Sequence, residues 1–207
     1  RMSGLGCTAL RGILMLVAAC AAGHAADAFN DVDTMIGTGG DGHTFPGATV
    51  PFGMIQLSPD TAMPDFKHAY KWAAGYRYED HSILGFSETH FSGSGHSDLG
   101  DVLLMPGVGK PQWDAGDPDK PGSGYRSDFS HATEIAQPGY YAVTLASGDV
   151  RVELTASERV GWHRYTFPKG DEAHVLLDLR PGIYDYPGKV LWARLRVRED
   201  GSVTGYR

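Results

Sequence analysis

The stretch YYAVTLASGDVRVELTASERVGWHRYTF, Tyr140–Phe167, decides the fold class of this chain. It contains three runs that alternate apolar and polar residues, as strands with one buried face do: Tyr140–Ala146, Val150–Ala156 and Val160–Phe167. Ser147-Gly148-Asp149 joins the first two runs and is typical of a hairpin turn. Because side chains alternate along a strand, Trp162 and His163 point to opposite faces, and we expect Trp162 to lie in the core.

The sequence on both sides of this stretch continues the same pattern. Further strands are predicted within Val50–Pro59, Ser82–Phe86, Asp101–Met105, His174–Leu179, Val190–Arg198 and Val203–Tyr206. Asp60–Ala69 and Lys110–Gly124 are polar or rich in Gly and Pro, which indicates loops. The chain has 28 glycines, and no window of about a dozen residues has a helical period. Short strands separated by glycine turns predict an antiparallel β-sandwich, an all-β fold.

Residues 1–26 have the composition of an export signal. The apolar segment Gly12–Ala22 is shorter than the roughly 20 residues that span a bilayer, and small residues follow it. Val17-Ala18-Ala19-Cys20 resembles a bacterial lipobox, so a lipid anchor at Cys20 and free export both remain open. We expect an exported protein, periplasmic, attached to the outer membrane or extracellular, whose folded domain is 27–207.

Charge and cysteine content exclude several classes of function. The net charge is −7 and no basic run stands out, so nucleic acid is not an expected partner. Cys7 and Cys20 are the only cysteines, and both lie in the predicted signal. The folded domain can therefore form no disulfide and no thiolate metal site.

Two glycine-rich motifs need a structural context that the sequence does not provide. Gly37–Gly42 matches G-x-G-x-x-G, but Pro46 follows within another turn where a dinucleotide site needs a helix. A loop that lets backbone approach a ligand closely is the functional alternative. Gly85–Thr89 begins like a nucleophile elbow, but Thr89 stands where the final glycine is required.

Polar side chains that could bind a ligand are concentrated in Gly75–Pro106. Its glycine-rich centre carries acidic, hydroxyl and imidazole groups suited to sugar binding: Glu88, His90, Ser92, His96, Asp98 and Asp101. His90, His96 and Asp98 lack the regular scaffold of a histidine metal site, so no metal site is predicted in this chain. Trp72 precedes Ala73-Ala74-Gly75, whose small side chains leave room on one ring face, so it is either a core residue or a sugar platform.

Several blocks, in order, resemble the N-terminal domain of glycoside hydrolase family 92, the exo-acting α-mannosidases: VDTMIGT (32–38), GHTFPGATVPFGMIQLSPDT (42–61), the 75–106 stretch, QPGYYAVTL (137–145) and ELTASERVGWHRYTFP (153–168). The resemblance implies a β-sandwich that packs on a C-terminal (α/α)₆ barrel. It also implies a Ca²⁺-dependent, inverting hydrolase acting on α-mannoside glycans. The catalytic groups and Ca²⁺ ligands of such enzymes lie mainly on the barrel, so no catalytic residue is assigned to this chain.

The resemblance also implies which residues contact substrate. Trp72 matches a tryptophan that the family places against mannose, and the blocks with Phe45, His90 and the Ser92–Asp98 turn would face the barrel. The usual family pattern Ser-His-Thr-His is altered here, because Glu88 replaces the first histidine. We expect this chain alone to be inactive. A stand-alone carbohydrate-binding module and a structural domain of the cell envelope are the alternatives.

Overall fold

The computed structural model describes residues 28–61, 73–93, 99–170, 172–180 and 190–207. The chain divides into two compact units, Arg1–Asp33 and Thr34–Arg207, and the second contains all the strands described below. The predicted signal, Cys20, Trp72, His96 and Asp98 lie outside the described residues. Within those residues, no helix is long and apolar enough to cross a membrane.

In the described residues of the second unit, the regular structure consists of short strands and one 3₁₀ turn, His131–Thr133. The strands are β1 (Ala48–Thr49), β2 (Gln56–Asp60), β3 (Ser82–Ile83), β4 (Gly85–Ser87), β5 (Leu103–Val108), β6 (Ser127–Asp128), β7 (Ile135–Gln137), β8 (Tyr140–Leu145), β9 (Val150–Ala156), β10 (Gly161–Thr166), β11 (Ala173–Asp178), β12 (Arg194–Val197) and β13 (Val203–Tyr206).

All described strand pairs are antiparallel, and two sheets dominate. One sheet has five strands in the order β1-β2-β4-β5-β11, and the other has four in the order β10-β9-β8-β7. The pairs β3-β6 and β12-β13 form two small sheets of their own. The all-β sandwich predicted from the sequence is therefore confirmed.

The core lies between the two large sheets. Its buried members come from both of them, with Ile83 added from β3: Ala48, Leu57, Phe86 and Met105 from the five-stranded sheet, and Tyr141, Val143, Leu145, Val150, Val152 and Leu154 from the other. Along β9 the inward residues alternate with more exposed ones, which is the period of two seen in the sequence. The predicted turn joins β8 to β9, with Gly148 and Asp149 both at positive φ.

Three predictions differ from the structure. Trp162 is 52% exposed on the outer face of β10, whereas His163 points inward, so the core position predicted for Trp162 is wrong. Period-two alternation separates the two faces of a strand but does not say which face meets the other sheet. Asp60 is the last residue of β2 and not part of a loop, and β12 begins at Arg194 instead of Val190.

The five-stranded sheet is covered on both faces, and this positions the candidate site. Phe86 on β4 packs into the core, whereas the neighbouring Ser87 points to the opposite face. There Ser87 meets Asp60 and His90, and the buried segment 73–76 lies against them. The functional candidates thus lie on the face of this sheet that is turned away from the hydrophobic core.

Candidate functional site

A buried polar cluster, the His90 cluster, consists of Gln56, Asp60, Ser87 and His90. The Nδ1 atom of His90 lies 2.7 Å from the Gln56 carbonyl oxygen, and Nε2 lies 3.0 Å from Asp60 Oδ1. Ser87 Oγ is 3.3 Å from the same Nε2, and the Ser87 N–H donates to Asp60 Oδ2 at 3.1 Å. Both ring nitrogens and both carboxylate oxygens therefore have partners, as buried polar groups require.

The segment that follows Trp72 in the sequence packs directly on this cluster. Gly75 has a φ of +86°, and a Cβ added there would lie 2.6 Å from Asp60 Oδ1 and 3.0 Å from His90 Cδ2. The Gly75 carbonyl accepts a hydrogen bond from the Thr61 N–H at 2.9 Å. A residue with a side chain would be excluded here, both by the backbone conformation and by the lack of space.

The loop segment 89–93, which contains His90, is hydrogen-bonded at its base to residues 100 and 101. Glu88 N–H donates to the Asp101 carbonyl at 3.1 Å, and Gly100 N–H donates to the Thr89 carbonyl at 2.8 Å. The Thr89 hydroxyl also accepts from the Asp101 N–H at 3.1 Å. Phe91 and Ser92, just beyond His90, are exposed on the described part of this loop.

Phe45 packs against this loop through the ring of His90. Its ring centroid lies 5.1 Å from that of His90, and Gly93 N–H donates to the His43 carbonyl at 2.5 Å. Large apolar side chains are exposed in the turn between β1 and β2, Phe52 (105%) and Met54 (69%), and directly after His90 in the sequence, Phe91 (56%). Phe52 also has a φ of +60°, a strained conformation for a non-glycine residue that often marks functional sites.

Glu88 belongs to a second polar group, which lies between the two sheets. Its Oε1 atom is 2.9 Å from His163 Nε2, and His163 Nδ1 is 2.8 Å from the Tyr165 hydroxyl. The Glu88 and His163 side chains are 19% and 8% exposed. Burial, together with the nearby Glu88 carboxylate, raises the pKa of Tyr165 above its usual value, so that hydroxyl stays protonated.

A buried carboxylate, Glu134, anchors the chain beyond Gly75. It accepts hydrogen bonds from the Tyr141 hydroxyl at 2.6 Å and the Tyr76 hydroxyl at 3.0 Å, and lies 2.6 Å from His131 Nδ1. Burial is the main cause of the raised pKa values of Tyr76 and Tyr141, and the Glu134 charge adds to it. Tyr76 is thereby fixed directly after the segment that packs on His90.

The structure brings some of the predicted site residues together. Phe45 and His90 are in contact, and Ser92 lies two residues further along the same loop. His90 is 0% exposed with both nitrogens occupied, so its geometry suits the holding of this loop more than direct contact with a sugar. Trp72 and Asp98 cannot be placed because they lie outside the described residues.

Sequence reasoning missed Gln56, Asp60 and Ser87. Asp60 could have been found, because it is a carboxylate directly after the apolar strand within Val50–Pro59. Its partner His90 is 30 positions away, and only the pairing of β2 with β4 brings them together. Gln56 acts mainly through its backbone carbonyl, which has no signal in the sequence.

Metal binding finds no support in the part of the chain that the structure describes. There, no group of three or more His, Cys, Asp or Glu side chains could hold a metal ion. Asp60 is the carboxylate of the His90 cluster, and both of its oxygens already have protein hydrogen-bond partners. These residues therefore do not fit a calcium site, which needs several free oxygen ligands.

The family model and the solved structures that match this chain belong to the same enzyme family. Residues 31–207 match the family described as "Glycosyl hydrolase family 92 N-terminal domain". A curated protein of Arthroderma benhamiae, described as an uncharacterized secreted glycosidase, is 32% identical over 156 residues, which are 74% of this chain and 19% of that protein.

Solved structures agree with the family match. A family GH92 α-mannosidase of Bacteroides thetaiotaomicron in complex with mannoimidazole is 42% identical and superposes with a TM-score of 0.72, covering 75% of this chain and 20% of its own. An inverting GH92 mannosidase of the same organism is 27% identical with a TM-score of 0.56, covering 71% and 19%.

This chain thus spans about one fifth of the length of the relatives that it matches. The match runs through nearly all the described strands and includes the segments of the His90 cluster. The chain belongs to glycosyl hydrolase family 92 and corresponds to its N-terminal domain.

Proposed function

We propose that this chain is the N-terminal sandwich of an exported, inverting α-mannosidase, in which it supports a catalytic domain and forms one wall of the mannose pocket. The observation that carries the proposal is the match over residues 31–207, together with the superposition on an α-mannosidase at 42% identity. Export is supported by the signal-like residues 1–26 and by the secreted relative.

The pocket wall of this proposal is the surface around the His90 cluster. Phe45 and the exposed Ser92 are proposed to contact mannose. Trp72 and Asp98, which are close to these segments in the sequence, are proposed as further contacts. His90 holds this wall in place through its bonds to Gln56 and Asp60. The exposed Phe52, Met54 and Phe91 supply apolar area suited to packing against a second domain.

The bond-breaking groups are proposed to come from the part of the relatives that this chain does not cover. Inverting hydrolysis needs a general acid and a general base about 6.5–9.5 Å apart, with a water between the base and the sugar. In this chain, the carboxylates of Asp60 and Glu88 are both hydrogen-bonded to protein groups. Calcium, where the full enzyme uses it, would likewise take its ligands from outside the described residues.

Trp72→Ala tests the proposed pocket wall in a full-length protein that carries this domain. We expect kcat/KM for an aryl α-mannoside to fall at least about tenfold, or about 1.4 kcal/mol of transition-state binding, because the indole would lose its contact with the apolar face of the sugar. Trp113→Ala is the matched control, since that side chain is 69% exposed on the loop between β5 and β6. A parent-like kcat/KM for Trp72→Ala would remove this residue from the wall.

The proposal that the bond-breaking groups lie outside this chain is tested by comparing the 207-residue chain with the full-length protein. The full-length protein should release mannose, and the chain alone should release none and bind mannosides too weakly for calorimetry. Mannoside binding by the chain alone would favour a carbohydrate-binding module. Absence of mannosidase activity in the full-length protein would contradict the proposal.

A further inference from the structure

We propose that Glu88 is a positioning residue for substrate binding: its carboxylate, held by His163 of the opposite sheet, fixes the segment that carries His90, against which Phe45 packs. This inference rests on the proposed function, because it concerns the same pocket wall. It assigns a role to the position at which this chain departs from the usual family pattern.

The pair joins two elements that are far apart in the sequence. Glu88 directly follows β4 in the five-stranded sheet, and His163 lies on β10 in the four-stranded sheet. The Oε1–Nε2 distance of 2.9 Å is that of a good charge-assisted hydrogen bond. The pair therefore spans the sandwich at one point and ties the end of β4 to β10.

Tyr165 orients the imidazole toward Glu88. Its hydroxyl lies 2.8 Å from His163 Nδ1, so this nitrogen is occupied within the protein. With the Glu88 carboxylate as acceptor, Nε2 carries the proton; Nδ1 of the neutral ring then accepts from the Tyr165 hydroxyl, and in the imidazolium both nitrogens donate. The carboxylate thus has a fixed partner in both protonation states of the ring.

Gly161, at the start of β10, leaves the space that the carboxylate occupies. A Cβ at this position would lie 2.7 Å from Glu88 Oε2 and 2.9 Å from Leu57 Cδ2. The glycine here is explained by close packing and not by its backbone angle. The interior between the sheets is therefore shaped to accept the Glu88 side chain.

The backbone of Glu88 transmits this anchoring to the His90 cluster. The Glu88 carbonyl accepts from the Gln56 N–H at 3.0 Å, and the Gln56 carbonyl lies 2.7 Å from His90 Nδ1. The Gln56 side-chain oxygen also accepts from the His90 N–H at 3.3 Å. His90 in turn contacts the ring of Phe45, so a continuous chain of contacts runs from His163 to the proposed pocket wall.

Glu88 itself does not face that wall. Ser87, its neighbour, points to Asp60 and His90, and successive strand residues point to opposite faces. The carboxylate of Glu88 instead points to Gly161 and His163 between the sheets. Its influence on substrate is therefore indirect, through the backbone, and should appear in binding and not in the chemical step.

The test uses the full-length protein that carries this domain, with Glu88→Gln and Glu88→Ala. We expect Glu88→Ala to raise KM for an aryl α-mannoside, and the Kd for mannoimidazole, at least about tenfold, with kcat within about threefold of the parent. Glu88→Gln, which keeps the size and one acceptor, should give a smaller rise in both quantities. An effect on stability alone would not separate KM from kcat in this way.

Glu153→Ala is the matched control. Glu153 pairs with Arg164 through two hydrogen bonds on the outer face of the same β9–β10 pair, away from Glu88. It should leave KM and the Kd for mannoimidazole at parent values. A reciprocal exchange, Glu88→His with His163→Glu, should restore KM to within about threefold, whereas either single exchange should raise it.

The outcomes separate this inference from the proposed function. If the parent protein cleaves mannosides but Glu88→Gln and Glu88→Ala keep its KM and Kd, Glu88 does not position the wall and the inference is overturned. The same conclusion follows if Glu88→Ala lowers only the melting temperature. If the parent protein has no mannosidase activity, the proposed function fails, whatever the Glu88 variants do.

Discussion

Single residues around the His90 cluster are constrained by space as well as by hydrogen bonding. Asp60 is 3% exposed and His90 is 0% exposed, and Gly75 packs directly against both side chains. The two side chains are hydrogen-bonded to each other, so removal of one leaves the other buried without one of its partners, which is costly. Substitutions in this cluster should therefore affect the stability of the domain as well as its function.

Gly75→Ala should lower the free energy of unfolding by about 2–4 kcal/mol in urea denaturation. The new Cβ would meet Asp60 Oδ1 at 2.6 Å, and alanine would also be strained at a φ of +86°. Gly109→Ala isolates the second effect, because Gly109 has a φ of +74° but no atom within 4 Å of its Cβ position. We expect it to cost about 1 kcal/mol. Equal losses for the two variants would show that the close contact with Asp60 contributes nothing.

At the scale of elements, β8 and β9 contrast with the β12–β13 hairpin. β8 and β9 have flanking strands and contribute six core residues. The β12–β13 pair has every residue exposed, including Leu195 (47%), Val197 (72%) and Val203 (50%). A two-stranded hairpin without a covering layer has marginal stability in water.

Hydrogen exchange should resolve this contrast. In the 207-residue chain, the amides of β12 and β13 should exchange at least about 100-fold faster than those of β8 and β9, because their opening needs only local unfolding. Mass spectrometry of the exchanged peptides would measure the ratio. In a full-length protein, slow exchange of this hairpin would show that another part of the polypeptide covers it. Equal protection in the isolated chain would contradict the marginal stability inferred here.

At the scale of the whole molecule, four buried or half-buried tyrosines of the described residues resist ionisation in the folded protein. The pKa values of Tyr76, Tyr125, Tyr141 and Tyr165 are all raised, with burial as the first cause in each case. Three of these hydroxyls donate to a buried or half-buried carboxylate, Glu134 or Asp178, which would repel a tyrosinate. The folded protein therefore resists deprotonation of groups that ionise readily once the chain unfolds.

This predicts a loss of stability at alkaline pH. The folded-state pKa values lie above the unfolded value of about 10, so the stabilisation is complete below pH 10 and is lost as pH rises beyond it. The urea midpoint should fall as the pH rises above about 10, together with the appearance of tyrosinate absorbance. Tyr141→Phe should make the fall less steep, because one buried hydroxyl is removed. A midpoint that stays constant to pH 11 would contradict the tight burial of these groups.

Much of the β architecture was predictable because its signals are local. Alternation in Val150–Ala156 gives β9 with the observed bounds, and the glycine at position 148 marks the turn before it. Both features depend on a few neighbouring residues, and so does the position of β13. The family resemblance likewise follows from short blocks in order along the chain.

The orientation of β10 and the two polar clusters were settled only by the tertiary structure. Alternation placed Trp162 and His163 on opposite faces, but packing of the two sheets decided that His163 is inside. Glu88 and His163 are 75 positions apart, and Asp60 and His90 are 30 apart. The longer strands, the turn between β8 and β9 and the family could be predicted from the sequence, because these depend on local pattern and residue order. Strand pairing and sheet packing decided which polar groups meet, because contacts between distant residues leave no local signal.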